Sequence, residues 1–150
     1  MEYTNEIQVT YLPVFDKALK ISSSLDAYEI FKPYFPTDSI ALQERMVAMF
    51  LNHANCMVGI RTICIGDVSQ TLADGRLILA LALKTLASGI ILAHNHPSGN
   101  LTPSKPDILT TQQIKTVAEM VHIKVLDHLI LSPEGLNVSN YYSFADNCNL

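Results

Sequence analysis

"ILAHNHPSGNLTPSKPDILTTQQI", residues 91–114, decides how this chain is read. An apolar run ends in two histidines, His94 and His96, one residue apart. A loop of Pro, Ser, Gly and Asn follows, and Asp107 stands where a helix should begin. Residues i and i+2 of a strand point to the same side, so both rings can aim at one point at the strand's end. An HxH pair alone is a weak signal. Its position strengthens it, because ligand crevices form at the carboxyl ends of buried strands in helix-covered sheets. Asp107 lies eleven residues beyond His96, far enough for the loop to fold back over the strand end. Two histidines and one carboxylate make a three-ligand zinc set with a fourth position open to water. A rival reading stands beside it. Ser104-Lys105-Pro106-Asp107 is also a helix start, with Ser104 as N-cap, Pro106 in the first turn and Asp107 answering the helix dipole. The sequence leaves both readings open, and they are compatible.

Outward from this stretch, "IILA" (90–93) is too short and too apolar for anything but a central strand. Before it, Arg76 to Leu86 is apolar almost all round, which predicts a helix buried on several sides. "ERMVAMFLN" (44–52) and "CMVGIRTICIG" (56–66) read as two apolar strands around a polar turn that holds His53. After the histidine loop, Ile108 to His122 predicts a second main helix, with Ile108, Ile114, Val117, Ala118 and Val121 on its apolar face. "IKVLDHLIL" (123–131) is another buried strand, "SPEG" a turn, and "LNVSNYYSFAD" (136–146) a short closing strand with a helical turn. Near the start, "EIQVTYLPV" (6–14) alternates like an edge strand, which could pair two copies of the chain. "SSSLDAYEIF" (22–31) reads as a serine-capped helix ended by the prolines of "KPYFPTD". The fold class expected is α+β, close to α/β: a mixed central sheet with helices packed around it. Residues 1–37 are expected to form a strand and helix appendage on the core, and 38–150 the main domain.

With 150 residues, 49% of them apolar and 16% charged, the chain suits one folded domain. The formal charge is −4 and no two Lys or Arg are adjacent, which disfavours unaided nucleic-acid binding. Cys56, Cys64 and Cys148 form no CxxC pair, and Cys56 and Cys64 sit in apolar strand-like stretches. They read as buried reduced thiols of a cytoplasmic protein. The acidic, polar N-terminus shows no signal peptide. The most apolar stretch, residues 77–93, is too short and too broken to span a membrane.

His94-Asn95-His96-Pro97, six residues, Ser104, two residues, Asp107 resembles the JAMM motif of JAB/MPN metallopeptidase-like domains. "HNHPSG", then "PS..D", then Asp127-His128 and "YYSFAD" are closer still to the RadC-like branch. The resemblance covers about residues 38–146 and implies a cytidine-deaminase-like architecture. It also implies a zinc-dependent hydrolase of amide or isopeptide bonds in a peptide or protein substrate. Zn²⁺ would sit on His94, His96 and Asp107, and lower the pKa of its water from about 16 towards 7. The glutamate that the family places on an early strand matches Glu44, the one glutamate of six that heads an apolar strand. Its implied role is general base and later proton donor to the leaving amine. Ser104 would stabilise the oxyanion. Ser98 and Gly99 would shape the loop, and Asn95 points away from the ligand face. Asp127 and His128 face opposite sides of their strand. One of them would orient a ligand histidine, or be a buried polar group with its own partner.

The sequence departs from the branch in two places. Longer members carry an N-terminal helix-hairpin-helix segment, whereas the first 37 residues here hold no glycine for such hairpins. The helix before the histidine strand often begins Pro-Arg-Glu; here it reads Gly75-Arg76-Leu77. Two alternative functions therefore stand beside the hydrolase. One is a metal-dependent phosphodiesterase or DNA-repair factor, which a basic face would favour. The other is a non-catalytic metal-binding scaffold, since architecture alone does not give activity.

Overall fold

A computed structural model describes residues 9–12, 19–66 and 74–150. Five strands form one mixed sheet in the order β2-β1-β3-β4-β5. They are β1 (Arg45–Leu51), β2 (Met57–Ile65), β3 (Gly89–Asn95), β4 (Lys124–Leu131) and β5 (Tyr141–Ser143). β1 pairs antiparallel with β2 and β3, β3 runs parallel to β4, and β5 returns antiparallel on β4. The parallel β3–β4 pair needs a crossover, and helix α3 (Lys105–Glu119) supplies it. That places the start of α3 above the carboxyl end of β3, where the histidines lie. The expected α+β class, with a mixed central sheet, is therefore what the chain adopts.

β3 is buried at all seven residues and is central in the sheet. Side-chain alternation divides its neighbours into two cores. Met46, Ala48 and Phe50 of β1 join Ile90 and Leu92 of β3 under α3 and helix α2 (Gly75–Lys84). Val47, Met49, Ile91, Ala93 and Leu129 face the other side. There helix α1 (Ser24–Phe31), capped by Ser23, packs Ala27, Tyr28 and Phe31 against them. A 3₁₀ turn (Lys32–Tyr34) ends α1 at the expected prolines.

The expectations for α2 and α3 need correction. α2 is not enclosed on several sides: only Ile78 and Ala82 are buried, while Leu77 and Leu83 are exposed. It rests on one face of the sheet, with Leu79 and Leu81 partly buried against the core and Leu77 and Leu83 on the solvent side. On α3 the buried residues are Thr111, Ile114 and Ala118, whereas Ile108, Val117 and Val121 are exposed. A polar residue thus sits on the packed face. Cys56 and Cys64 are half-buried rather than buried, and Cys148 is exposed; none is in a disulfide. Of the edge strand expected over residues 6–14, only 9–12 are described, and these form no strand; the rest lies outside the described residues. Most of "DVSQTLADG" (67–75), a stretch whose composition reads as a loop, also lies outside them. Among the described residues no helix is long and apolar enough to cross a membrane.

Candidate metal centre

The i, i+2 parity holds at the end of β3. His94 Nε2 and His96 Nε2 lie 3.0 Å apart. The first turn of α3 brings the carboxylate to them, with Asp107 Oδ1 3.1 Å from His94 Nε2 and Oδ2 3.3 Å from His96 Nε2. The helix-start reading of Asp107 is what the chain adopts, and the same carboxylate stands beside the two histidines. Ser104 is the N-cap, its hydroxyl accepting from Asp107 N at 3.3 Å, and Asp107 Oδ2 accepts from Ser104 N at 2.7 Å. This is a capping box whose acid also faces the histidines.

The donor set fits a divalent ion. A tetrahedron with bonds of about 2.0–2.1 Å has edges of about 3.3–3.4 Å; the two Nε2 atoms are 3.0 Å apart, each faces its own Asp107 oxygen, and one ligand atom from each of the three residues lies within 4.8 Å of the others. The proton placement agrees. His96 Nδ1 lies 2.5 Å from the carbonyl of Asn100, and a carbonyl can only accept. Nδ1 therefore carries the hydrogen, and in the neutral ring Nε2 presents a lone pair towards a carboxylate. Such an arrangement needs a cation or a proton between them. Three protein groups of this kind converge among the described residues, so a tetrahedral ion would keep one position open.

Charge in the cluster follows from these contacts. Burial alone would raise the Asp107 pKa, but hydrogen bonds from His94 and His96 hold it far below the usual carboxylate range. Burial disfavours the His96 cation, yet its bonds to Asp107 and to the Asn100 carbonyl outweigh this and raise its pKa. His128 is fully enclosed, and burial, with the neighbouring histidines, pushes its pKa well down.

Glu44 directly precedes β1, and shares the parity of Met46 and so the face of His94. It lines a cleft of about 470 Å³ together with His96, Ser104 and Asp107. Asn95 does point to the other face, as expected, but it does more than fill space. Its Oδ1 accepts from Arg45 N at 2.8 Å, and its Nδ2 donates to the carbonyls of Ile40 at 2.7 Å and Gln43 at 3.0 Å. The histidine strand thereby holds the segment that presents Glu44. Gly99 adopts φ +78°, a left-handed conformation that favours glycine, and a Cβ there would meet Leu136 at 2.7 Å. That turn sets the Asn100 carbonyl against His96.

His128 is the member of the Asp127-His128 pair that meets His94, one of the candidate ligands. Its Nε2 lies 2.8 Å from His94 Nδ1, and its Nδ1 lies 2.6 Å from Thr111 Oγ1. Asp127 faces away and accepts from the Ser143 hydroxyl at 2.6 Å and from Ala145 N at 3.0 Å. Thr111 escapes sequence reading. The available signal is its i+4 spacing from Asp107, which places both on one side of α3.

A family model described as RadC-like JAB domain matches residues 21–149, starting before the stretch on which the motifs lie. Three relatives carry the name UPF0758 protein. One from Flavobacterium johnsoniae is 39% identical over 87% of this chain and 53% of its own length. One from Streptococcus sanguinis is 45% identical over 72% of this chain and 45% of its own. One from Porphyromonas gingivalis is 38% identical over 97% of this chain and 60% of its own. The chain therefore spans about half the length of these curated relatives.

Proposed function

The chain belongs to the family of RadC-like JAB domains, and from that premise we propose that it is a zinc-dependent hydrolase of amide or isopeptide bonds. The observation that carries this reading is the convergence of His94, His96 and Asp107, of which His96 and Asp107 line one cleft with Glu44 and Ser104. A zinc ion held by the three ligands would supply Lewis-acid activation of water at neutral pH. Glu44 takes the proton of the attacking water and delivers it to the leaving nitrogen. The Ser104 hydroxyl accepts from Asp107 N through a lone pair, so its own proton is free to donate to the developing oxyanion. The open cleft at a strand end suits an extended peptide or a protein's side-chain amide, handled in the cytoplasm.

The test is Glu44→Gln, measured on any peptide or isopeptide that the wild-type protein cleaves. The expected result is a rate lower by about 10²–10⁴ with zinc still bound. Full activity in this variant sinks the assigned mechanism.

A further inference from the structure

The hydrogen bonds behind His94 run in one direction only. Thr111 Oγ1 lies 2.6 Å from the backbone oxygen of Asp107. Two oxygens so close need a hydrogen between them, and the carbonyl has none to give, so the threonine donates its single proton there. Towards His128 Nδ1, at 2.6 Å, Thr111 can then only accept. His128 must carry its hydrogen on Nδ1. Its ring is fully buried with only Thr111 and His94 at its nitrogens and no carboxylate to hold a second proton, so its Nε2 is a bare acceptor facing His94 Nδ1 at 2.8 Å. His94 in turn must carry its hydrogen on Nδ1. In the neutral ring its Nε2 is then a lone pair directed at Asp107 and His96. No member of this chain is exposed: Thr111 and His128 are fully buried and His94 nearly so, which keeps water from substituting at any step.

We infer that His128 and Thr111 are positioning residues that lock His94 in the one tautomer able to bind a metal through Nε2. The inference rests on the metal reading of the site. The proton chain ends on the backbone of Asp107, whose carboxylate completes the cluster, so one turn of α3 both supplies a ligand and sets the proton on another. Phe144 stacks on His128 with centroids 5.0 Å apart and planes at 14°, holding the ring in the plane that the chain requires. This gives the "YYSFAD" segment a task at the site.

The test uses the full chain labelled with ¹⁵N, whose five histidines are few enough to assign. Multiple-bond ¹H–¹⁵N spectra are recorded about two units above histidine's ordinary pKa of about 6.5, where neutral rings report their tautomer. Hydrogen on Nδ1 of both His94 and His128 is expected; hydrogen on Nε2 of His128 overturns the inference. Zinc affinity is then measured by competition with a chelator. Thr111→Val should bind about 10–100-fold more weakly, and Thr111→Ser should recover most of the loss because it keeps the hydroxyl. Wild-type affinity in Thr111→Val also overturns the inference. The wild-type spectra need no variant to fold. A wild-type protein that shows the expected tautomers yet takes up no zinc refutes the metal reading, and the two failures remain distinct.

Discussion

Replacing Asp107 separates two tasks held by one carboxylate. Oδ2 accepts from Ser104 N at 2.7 Å, and Oδ1 lies 3.1 Å from His94 Nε2. In Asp107→Ala the Ser104 N–H loses its acceptor and the first turn of α3 loses its negative charge. Together these cost about 1–2 kcal/mol of stability. In Asp107→Asn the amide oxygen can still serve Ser104, while its NH₂ can donate to the His94 lone pair. Only the charge–dipole contribution is lost, about 0.3–1 kcal/mol. Without metal, the Asn variant should therefore unfold at a higher urea concentration than the Ala variant. Zinc reverses the grouping. At a concentration one hundred times its Kd, it should stabilise the wild-type protein by about 2.7 kcal/mol. Both variants should gain almost nothing, because neither brings a charged oxygen to the ion. The assay is urea unfolding followed by far-UV circular dichroism, for three proteins with and without zinc. An equal zinc gain in Asp107→Asn and wild type would refute the reasoning and leave Asp107 as a helix cap alone.

Two further outcomes follow from residues behind the site. Burial raises the Asp127 pKa against the bonds from Ser143, Ala145 and His128 that oppose it. Its folded pKa thus exceeds the unfolded value of about 3.9, so its favourable contribution is full below that value and is lost as pH rises through the folded pKa. Asp127→Asn removes this slope, and its stability relative to wild type should climb from about pH 4 towards neutrality; parallel pH profiles in urea unfolding would contradict it. Asn95→Ala deletes the three bonds to Ile40, Gln43 and Arg45, and should lower stability by about 2–4 kcal/mol with an unchanged urea m-value. An unmoved midpoint would show that Asn95 does not hold the segment before Glu44.

The sheet was legible where periodicity and burial coincide. Ile90–Ala93 of β3 and Leu129–Leu131 of β4 are apolar on both faces, and both runs are buried. The histidine parity, the cap at Ser104 and the return of Asp107 were legible because each depends on spacing within one segment. The helices were harder. Leucines all round α2 suggested enclosure, but apolar side chains also stand on a solvent face, as Leu77 and Leu83 do. On α3 the same weighting favoured Ile108 and Val117 over Thr111, although Thr111 is the residue with a buried partner. The sequence offered Asp127 or His128 as the partner of a candidate ligand histidine but could not choose between them or name His94, because the contact depends on β4 lying beside β3. Strand order is a tertiary choice with no local signature.

The compatibility of cap and ligand has a geometric cause. A right-handed β–α–β crossover carries the chain from the end of one strand to a helix that starts above the same sheet edge. The first turn of that helix needs an anion, and the lone pairs at the strand end need a cation. One carboxylate between them serves both, with Oδ2 engaged by Ser104 N and Oδ1 left for the histidine side. Capping boxes commonly use the longer glutamate or glutamine at this position. The extra methylene would reach Ser104 equally well but would carry the carboxyl carbon about 1.5 Å further along its side chain. The shorter acid, at 3.1 and 3.3 Å from the two ring nitrogens, therefore answers the requirement of the cluster rather than that of the helix.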